Sequence, residues 1–167
     1  MSKEYLNFKK DSPEVRELIN WWEGLDEDRG ERAVLRRCHN QAEIVFSPAY
    51  HRLRISVRHL GMLDDDRLAL VAGLVARIKP PGDNSGNIAE QMATGKPDGS
   101  ARVSGLRFRR LLKIKDRENL FTGMTRVIAL LGGSANIQSL AQSVYHWNDI
   151  TRKQWAFDYY SKAPNEV

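Results

Sequence analysis

Apolar residues recur along this chain at the three- and four-residue spacing of helices, punctuated by polar caps and glycine stops. Val15, Leu18, Ile19 and Trp22 lie at i, i+3, i+4 and i+7 behind Ser12-Pro13, where serine caps and proline takes the first helical position. A short second helix is expected over 29–38, ending near Asn40. Ser47-Pro48 repeats the start signal, and Tyr50, Leu53, Val57 and Leu60 carry a stripe to Gly61. Asp64, Asp65 and Asp66 open the segment RLALVAGLVARIK, whose Leu68, Leu70, Val71, Leu74, Val75 and Ile78 make it apolar nearly all round. A helix of that kind belongs at the centre of a core.

KPPGDNSG breaks the pattern with Pro80-Pro81 and two glycines. A weak helix over 88–94 and a second polar loop, GKPDGSARVSG, follow. Ser104 then caps one helix and Asp116 another, with Leu120, Phe121, Met124, Val127, Ile128 and Leu131 inside and Gly132-Gly133 as its stop. Ile137, Leu140, Ala141 and Val144 give one more stripe, and Asp149 begins a last helix bearing Trp155, Phe157, Tyr159 and Tyr160. Period-two alternation is nearly absent, HRLRISVRH being the one ambiguous run. The pattern predicts an all-α fold, a bundle of about seven to nine helices forming one domain over 1–167. A division into an N-terminal lobe at about 12–79 and a C-terminal lobe at about 104–162, joined by the loop-rich 80–103, is the expected organisation.

Composition adds three constraints. The chain has 167 residues, 41% hydrophobic and 28% charged, which places it among globular rather than disordered sequences. A lone cysteine, Cys38, excludes an internal disulfide and fits a reducing compartment; with only His39 beside it, it makes no zinc site. MSKEYLNFKKDSPEV lacks the apolar stretch of a signal peptide and no run is long enough to span a bilayer, so a cytoplasmic, membrane-free protein is expected. The net charge of +5 and isoelectric point near 9.5 favour anionic partners.

That charge is concentrated. From Arg102 to Arg117 there are seven basic residues and one acid, Asp116. At about 100° per residue, Phe108, Leu111 and Leu112 gather on one side of a helix. Arg109, Arg110 and Lys113 gather on the other, with Arg107 at a flank. Like charges so spaced repel, and phosphates suit a cationic face, since arginine offers them a planar donor fork. Further basic clusters occur at Arg29, Arg32, Arg36 and Arg37, at His51, Arg52, Arg54 and Arg58, at Arg126, and at Arg152-Lys153. Spacing alone leaves three uses open: a nucleic-acid backbone, an acidic protein surface, or plain solvated surface.

No catalytic constellation can be assembled. His39, His51, His59 and His146 have no metal-binding spacing, and neither a nucleophile elbow nor a phosphate loop is present. Asp64, Asp65 and Asp66 are the only dense acids a nuclease could use, and a helix start explains them. No cofactor and no metal are expected. No zinc finger or recognition helix is evident, so any nucleic-acid contact is to the backbone and not to base sequence. For the four tryptophans, packing or a subunit contact is a safer use than base stacking.

Three segments carry a family resemblance. WWEGLDEDRGERAVLRR, LRFRRLLKIKDRENLFTGMTRVIALL and LAQSVYHWNDITRKQWAFDYY resemble, in order, signature blocks of the CasB family, the small subunit of the type I-E CRISPR surveillance complex Cascade. The resemblance spans 21–160 and is loose over about 79–104. It implies an all-helical, non-catalytic subunit, present as two copies beside guide RNA and target strand. Such a subunit steadies the R-loop, partly by holding the displaced strand on a basic surface. Its implied partners are guide RNA, the target and displaced DNA strands, other Cascade subunits and a second copy of itself. The matching basic positions are Arg36, Arg37, Arg52, Arg107, Arg109, Arg110, Arg126, Arg152 and Lys153, to which the cationic face adds Lys113. A scaffold whose basic faces dock acidic surfaces of neighbouring proteins is the alternative.

Overall fold

The computed structural model describes residues 4–27 and 29–167, and of Arg29 the backbone alone; Met1, Ser2, Lys3 and Asp28 lie outside it. Within that span there are ten α-helices and no strand, eight of the helices having at least seven residues. In order they are α1 (Pro13–Gly24), α2 (Arg29–Arg37), α3 (Gln41–Val45), α4 (Pro48–Val57), α5 (Asp65–Val75), α6 (Ile88–Ala93), α7 (Gly105–Leu112), α8 (Arg117–Leu130), α9 (Ile137–Tyr145) and α10 (Asp149–Lys162), followed by a 3-10 turn, Pro164–Glu166. HRLRISVRH, ambiguous by pattern, lies largely in α4.

Side-chain caps set the helix starts. Ser12, Ser47, Ser104 and Asp116 each accept a backbone N–H from the first turn of the helix they precede. Asn87 and Glu90 form a reciprocal capping box on α6. α10 begins at Asp149 as expected and is capped by Asn148, whose side chain accepts the Thr151 N–H. α3 was not anticipated: its five residues bury only Ile44, too little to make a periodic signal.

α5 is the centre. Leu68, Leu70, Val71, Leu74 and Val75 are all at 0% exposure, and each contributes roughly 1.5–3 kcal/mol of burial. α2, α3, α4, α8 and α9 all pack against it. Gly73 permits the closest approach, because a Cβ there would lie 2.3 Å from Ile44 Cδ1 and 2.8 Å from Phe121 Cε2.

Both ends of this apolar helix are held by polar groups from elsewhere. At the C-terminal end, the Ala76 carbonyl accepts from Arg32 Nη1 and Arg36 Nε, and the Ile78 carbonyl from Arg32 Nη1 and Trp22 Nε1. Arg77 returns the arrangement by donating to the Leu35, Arg36 and Cys38 carbonyls at the end of α2. At the N-terminal end, Asp64 caps the helix, and Asp65 accepts from Tyr50 Oη at 2.6 Å and from Arg54 Nε at 2.8 Å. Arg117 approaches Asp64 at 3.6 Å and Asp66 at 3.8 Å. The acidic triplet is thus a helix start with cationic partners. Among the described residues no three His, Cys, Asp or Glu side chains are placed to hold a metal.

Replacing Gly73 with Val should destabilise the fold by about 1–3 kcal/mol in denaturant titration, the usual effect of overpacking. Desolvation raises the Asp65 pKa, but the hydrogen bonds from Arg54 and Tyr50 outweigh it and hold the carboxyl below its usual value. Its stabilising contribution is therefore complete above the unfolded value of about 3.9 and lost as pH falls through the lower folded value. Asp65→Asn should be less stable than the parent at pH 7, and the gap should close as pH falls below about 4.

Candidate nucleic-acid interface

α7 presents its basic residues because its apolar ones are pinned. Phe108 stacks on Tyr159 of α10 at 3.9 Å between ring centroids with planes 8° apart, and meets the edge of Tyr160 at 5.7 Å. Leu111 turns instead toward α8. There Gly123 leaves room for it and for Ile114: an added Cβ would be 3.0 Å from Leu111 Cδ2 and 3.1 Å from Ile114 Cδ1. The turn between the helices is tied down at the Ile114 carbonyl, which accepts from Trp147 Nε1 at 2.8 Å and Arg152 Nη1 at 3.2 Å.

Between α7 and α8 lies a groove of about 1050 Å³. Apolar groups including Val103, Leu111, Ile114, Val127 and Leu130 line it together with five cations, Arg107, Arg110, Lys113, Lys115 and Arg126. Its one acid, Asp116, is engaged as the α8 cap, accepting Asn119 N–H at 2.8 Å and Asn119 Nδ2 at 2.9 Å. Those bonds from Asn119 depress its pKa. Among the described residues none of the five cations forms a salt bridge.

The other cations differ. Arg52 is paired with Glu31, and Arg54 with Asp65. Arg36 spends its Nε on the Ala76 carbonyl. Arg32 is buried, bonded to backbone carbonyls and to Asp26 at 3.0 Å; burial depresses its pKa, against the pull of Asp26. Arg152 is paired with Asp149 and lies over the Trp147 ring as well as on the Ile114 carbonyl. Arg37, Arg58 and Lys153 are exposed and lie outside the groove. The side chain of Arg29 lies outside the described residues.

Of the ten sequence candidates, Arg107, Arg110, Lys113 and Arg126 are brought together in the groove. Arg36, Arg37, Arg52, Arg109, Arg152 and Lys153 are not. Arg109 departs from the helical-wheel grouping: its guanidinium donates to the Glu166 carbonyl, and Arg107 takes its place beside Arg110 and Lys113. Sequence reasoning missed Lys115, which follows the helix end where periodicity gives no direction. It also missed Asn119 and Thr122, which with Arg126 run at i, i+3 and i+7 along α8, a signal that was available.

The tryptophans are all committed internally. Trp21 donates to the Ala49 carbonyl, Trp22 to Ile78, Trp147 to Ile114 and Trp155 to Ser143 Oγ. None lines the groove.

Arg152→Ala should destabilise the protein by about 1–3 kcal/mol, since it strips a charge-assisted hydrogen bond from a partly buried carbonyl. Lys153→Ala, one residue on, should change stability by less than about 0.5 kcal/mol in the same denaturant titration.

Comparison with curated proteins finds no match. Solved structures do match. CasB from Thermus thermophilus is similar at 23% identity and a TM-score of 0.64, over 90% of this chain and 99% of that one. A chain of the E. coli Cascade bound to a PAM-containing dsDNA target is similar at 18% identity and a TM-score of 0.62, over 89% of this chain and 95% of that one. At these identities the likeness is one of fold. The family model described as CRISPR-associated protein Cse2 matches residues 31–160, most of the chain, and the chain belongs to that family.

Proposed function

We propose that this protein is a non-catalytic, nucleic-acid-binding subunit of a type I-E Cascade complex, and that it holds nucleic-acid backbone in the groove between α7 and α8. One observation carries the reading: five cations line a single groove without a carboxylate partner among the described residues, while much of the basic surface elsewhere is paired or capping. Membership of the Cse2 family and likeness in fold to a chain of a DNA-bound Cascade support the complex as its setting.

The chemistry follows from the lining. Guanidinium and ammonium groups engage phosphates by charge, displacing counterions and giving affinity without sequence preference. The apolar floor accepts an unpaired base or sugar more readily than a closed duplex, which offers mainly phosphates to a protein surface. In an R-loop the duplex lost and the heteroduplex gained are nearly balanced, so a few backbone contacts shift the equilibrium. Guide RNA or target strand on one side, or the displaced strand on the other, would be held in the same way.

A protein-docking reading has its own observation. Ile150 and Phe157, seven residues apart on α10, are 79% and 73% exposed and share one face of that helix. This face suits contact with neighbouring subunits or a second copy, and it leaves the groove free.

Binding of labelled single strands should weaken log-linearly with salt, and Arg107→Glu, Arg110→Glu and Arg126→Glu together should lower the slope by about 2, at about 0.7 per phosphate contact on a single strand. Fluorescence anisotropy with circular dichroism as the folding control reads both. Equal binding by parent and variant would leave the scaffold reading in its place.

A further inference from the structure

The two walls of the groove are unlike. Arg107 and Arg110 stand on α7, and Lys113 and Lys115 lie in the turn that leaves it, so four of the five cations belong to that side. α8 contributes one cation, Arg126, and otherwise Asn119, Thr122, Gly123, Val127, Ala129 and Leu130. Asp116 stands at the start of the α8 wall, and the bonds from Asn119 that hold its carboxyl below the usual range keep it charged at neutral pH. Charge therefore draws a phosphate to the first wall and repels it at the start of the second.

What α8 offers suits a base. Asn119 gives one amide hydrogen to Asp116 Oδ2 at 2.9 Å, and because a carboxylate only accepts, this contact fixes which end of the amide is which. The Asn119 amide oxygen and second amide hydrogen have no partner among the described residues. A donor and an acceptor side by side complement an edge of any base. Farther along the helix Leu130 is 39% exposed beside Ala129, an apolar surface for the flat face of a base, and Gly123 puts no side chain in the way. From Asn119 to Leu130 the wall runs about 16 Å at the rise of an α-helix, room for several bases.

We infer that the groove orients its strand, with phosphates along α7 and the following turn and bases against α8, where Asn119 bonds a base edge and Leu130 covers a base face. This rests on the groove reading above and deepens it by naming the ligand as a strand whose bases are unpaired. A duplex keeps its bases stacked and paired, and a strand stripped of bases has only phosphates to offer. Since the amide meets any base edge, the orientation adds affinity without selecting a sequence.

The test uses the full chain and a short labelled single strand in natural and abasic forms, over a salt series, with thermal melting as the folding control. The abasic strand should bind at least about fivefold more weakly, the low end of the loss of one base contact. Its salt slope should be unchanged, because its phosphates are. Asn119→Ala and Leu130→Ser should each weaken binding of the natural strand by about two- to tenfold and leave the abasic strand as it was. A strand carrying iodouracil should crosslink under ultraviolet light to residues of α8, located by mass spectrometry. Equal binding of the natural and abasic strands, or crosslinks confined to α7, overturns the orientation; loss of that binding on changing Arg107, Arg110 and Arg126 together to Glu would then leave the groove reading standing. If neither strand binds, the groove reading fails and this inference falls with it.

Discussion

The structure depends on enclosing α5, a helix apolar on every side. Such a helix is stable only when surrounded, and α2, α3, α4, α8 and α9 supply the enclosure. Burial brings a second demand, because the backbone groups at its ends cannot be left to water. Arginines meet it at one end: Arg32 and Arg36 donate to carbonyls that close α5, and Arg77 donates to those that close α2. Asp64 meets it at the other, where its carboxylate accepts the Arg67 N–H. A basic composition is in part the consequence of a wholly apolar central helix.

This sorts the cations by what their neighbours require. Arg32, Arg36, Arg54, Arg77 and Arg152 serve the fold through carbonyls, carboxylates or both. Among the described residues the groove cations have no such partner, and the apolar side of α7 is fastened so that they face outward. Trp147 and Arg152 fix the floor of the groove through the Ile114 carbonyl, so the rigidity of the groove comes from α9–α10 residues remote in sequence. Surplus charge on a rigid surface is what a backbone-binding subunit needs, since an R-loop is close to balance and small, sequence-independent contacts tip it.

Most helices were legible from the chain, because their caps and apolar stripes are local features. Ser12-Pro13, Ser47-Pro48 and the all-round apolar run after Asp64 each gave a helix where the pattern placed it. α3 was not legible, having one buried residue in five. The groove was legible only in outline. Helical geometry brings Arg110 and Lys113 near each other, but the direction of Arg109 depends on Glu166 and that of Arg152 on Ile114, both distant partners. A pattern of charges shows where cations are, and tertiary contacts decide which of them are spoken for.

The most direct test of the central claim is a map of backbone amide chemical shifts as single-stranded DNA is added to the isotope-labelled protein. The account predicts shifts concentrated along 105–126, on α7, the following turn and α8, with α2 and α4 little affected. Shifts centred on α2 and α4, with the groove unmoved, would contradict it.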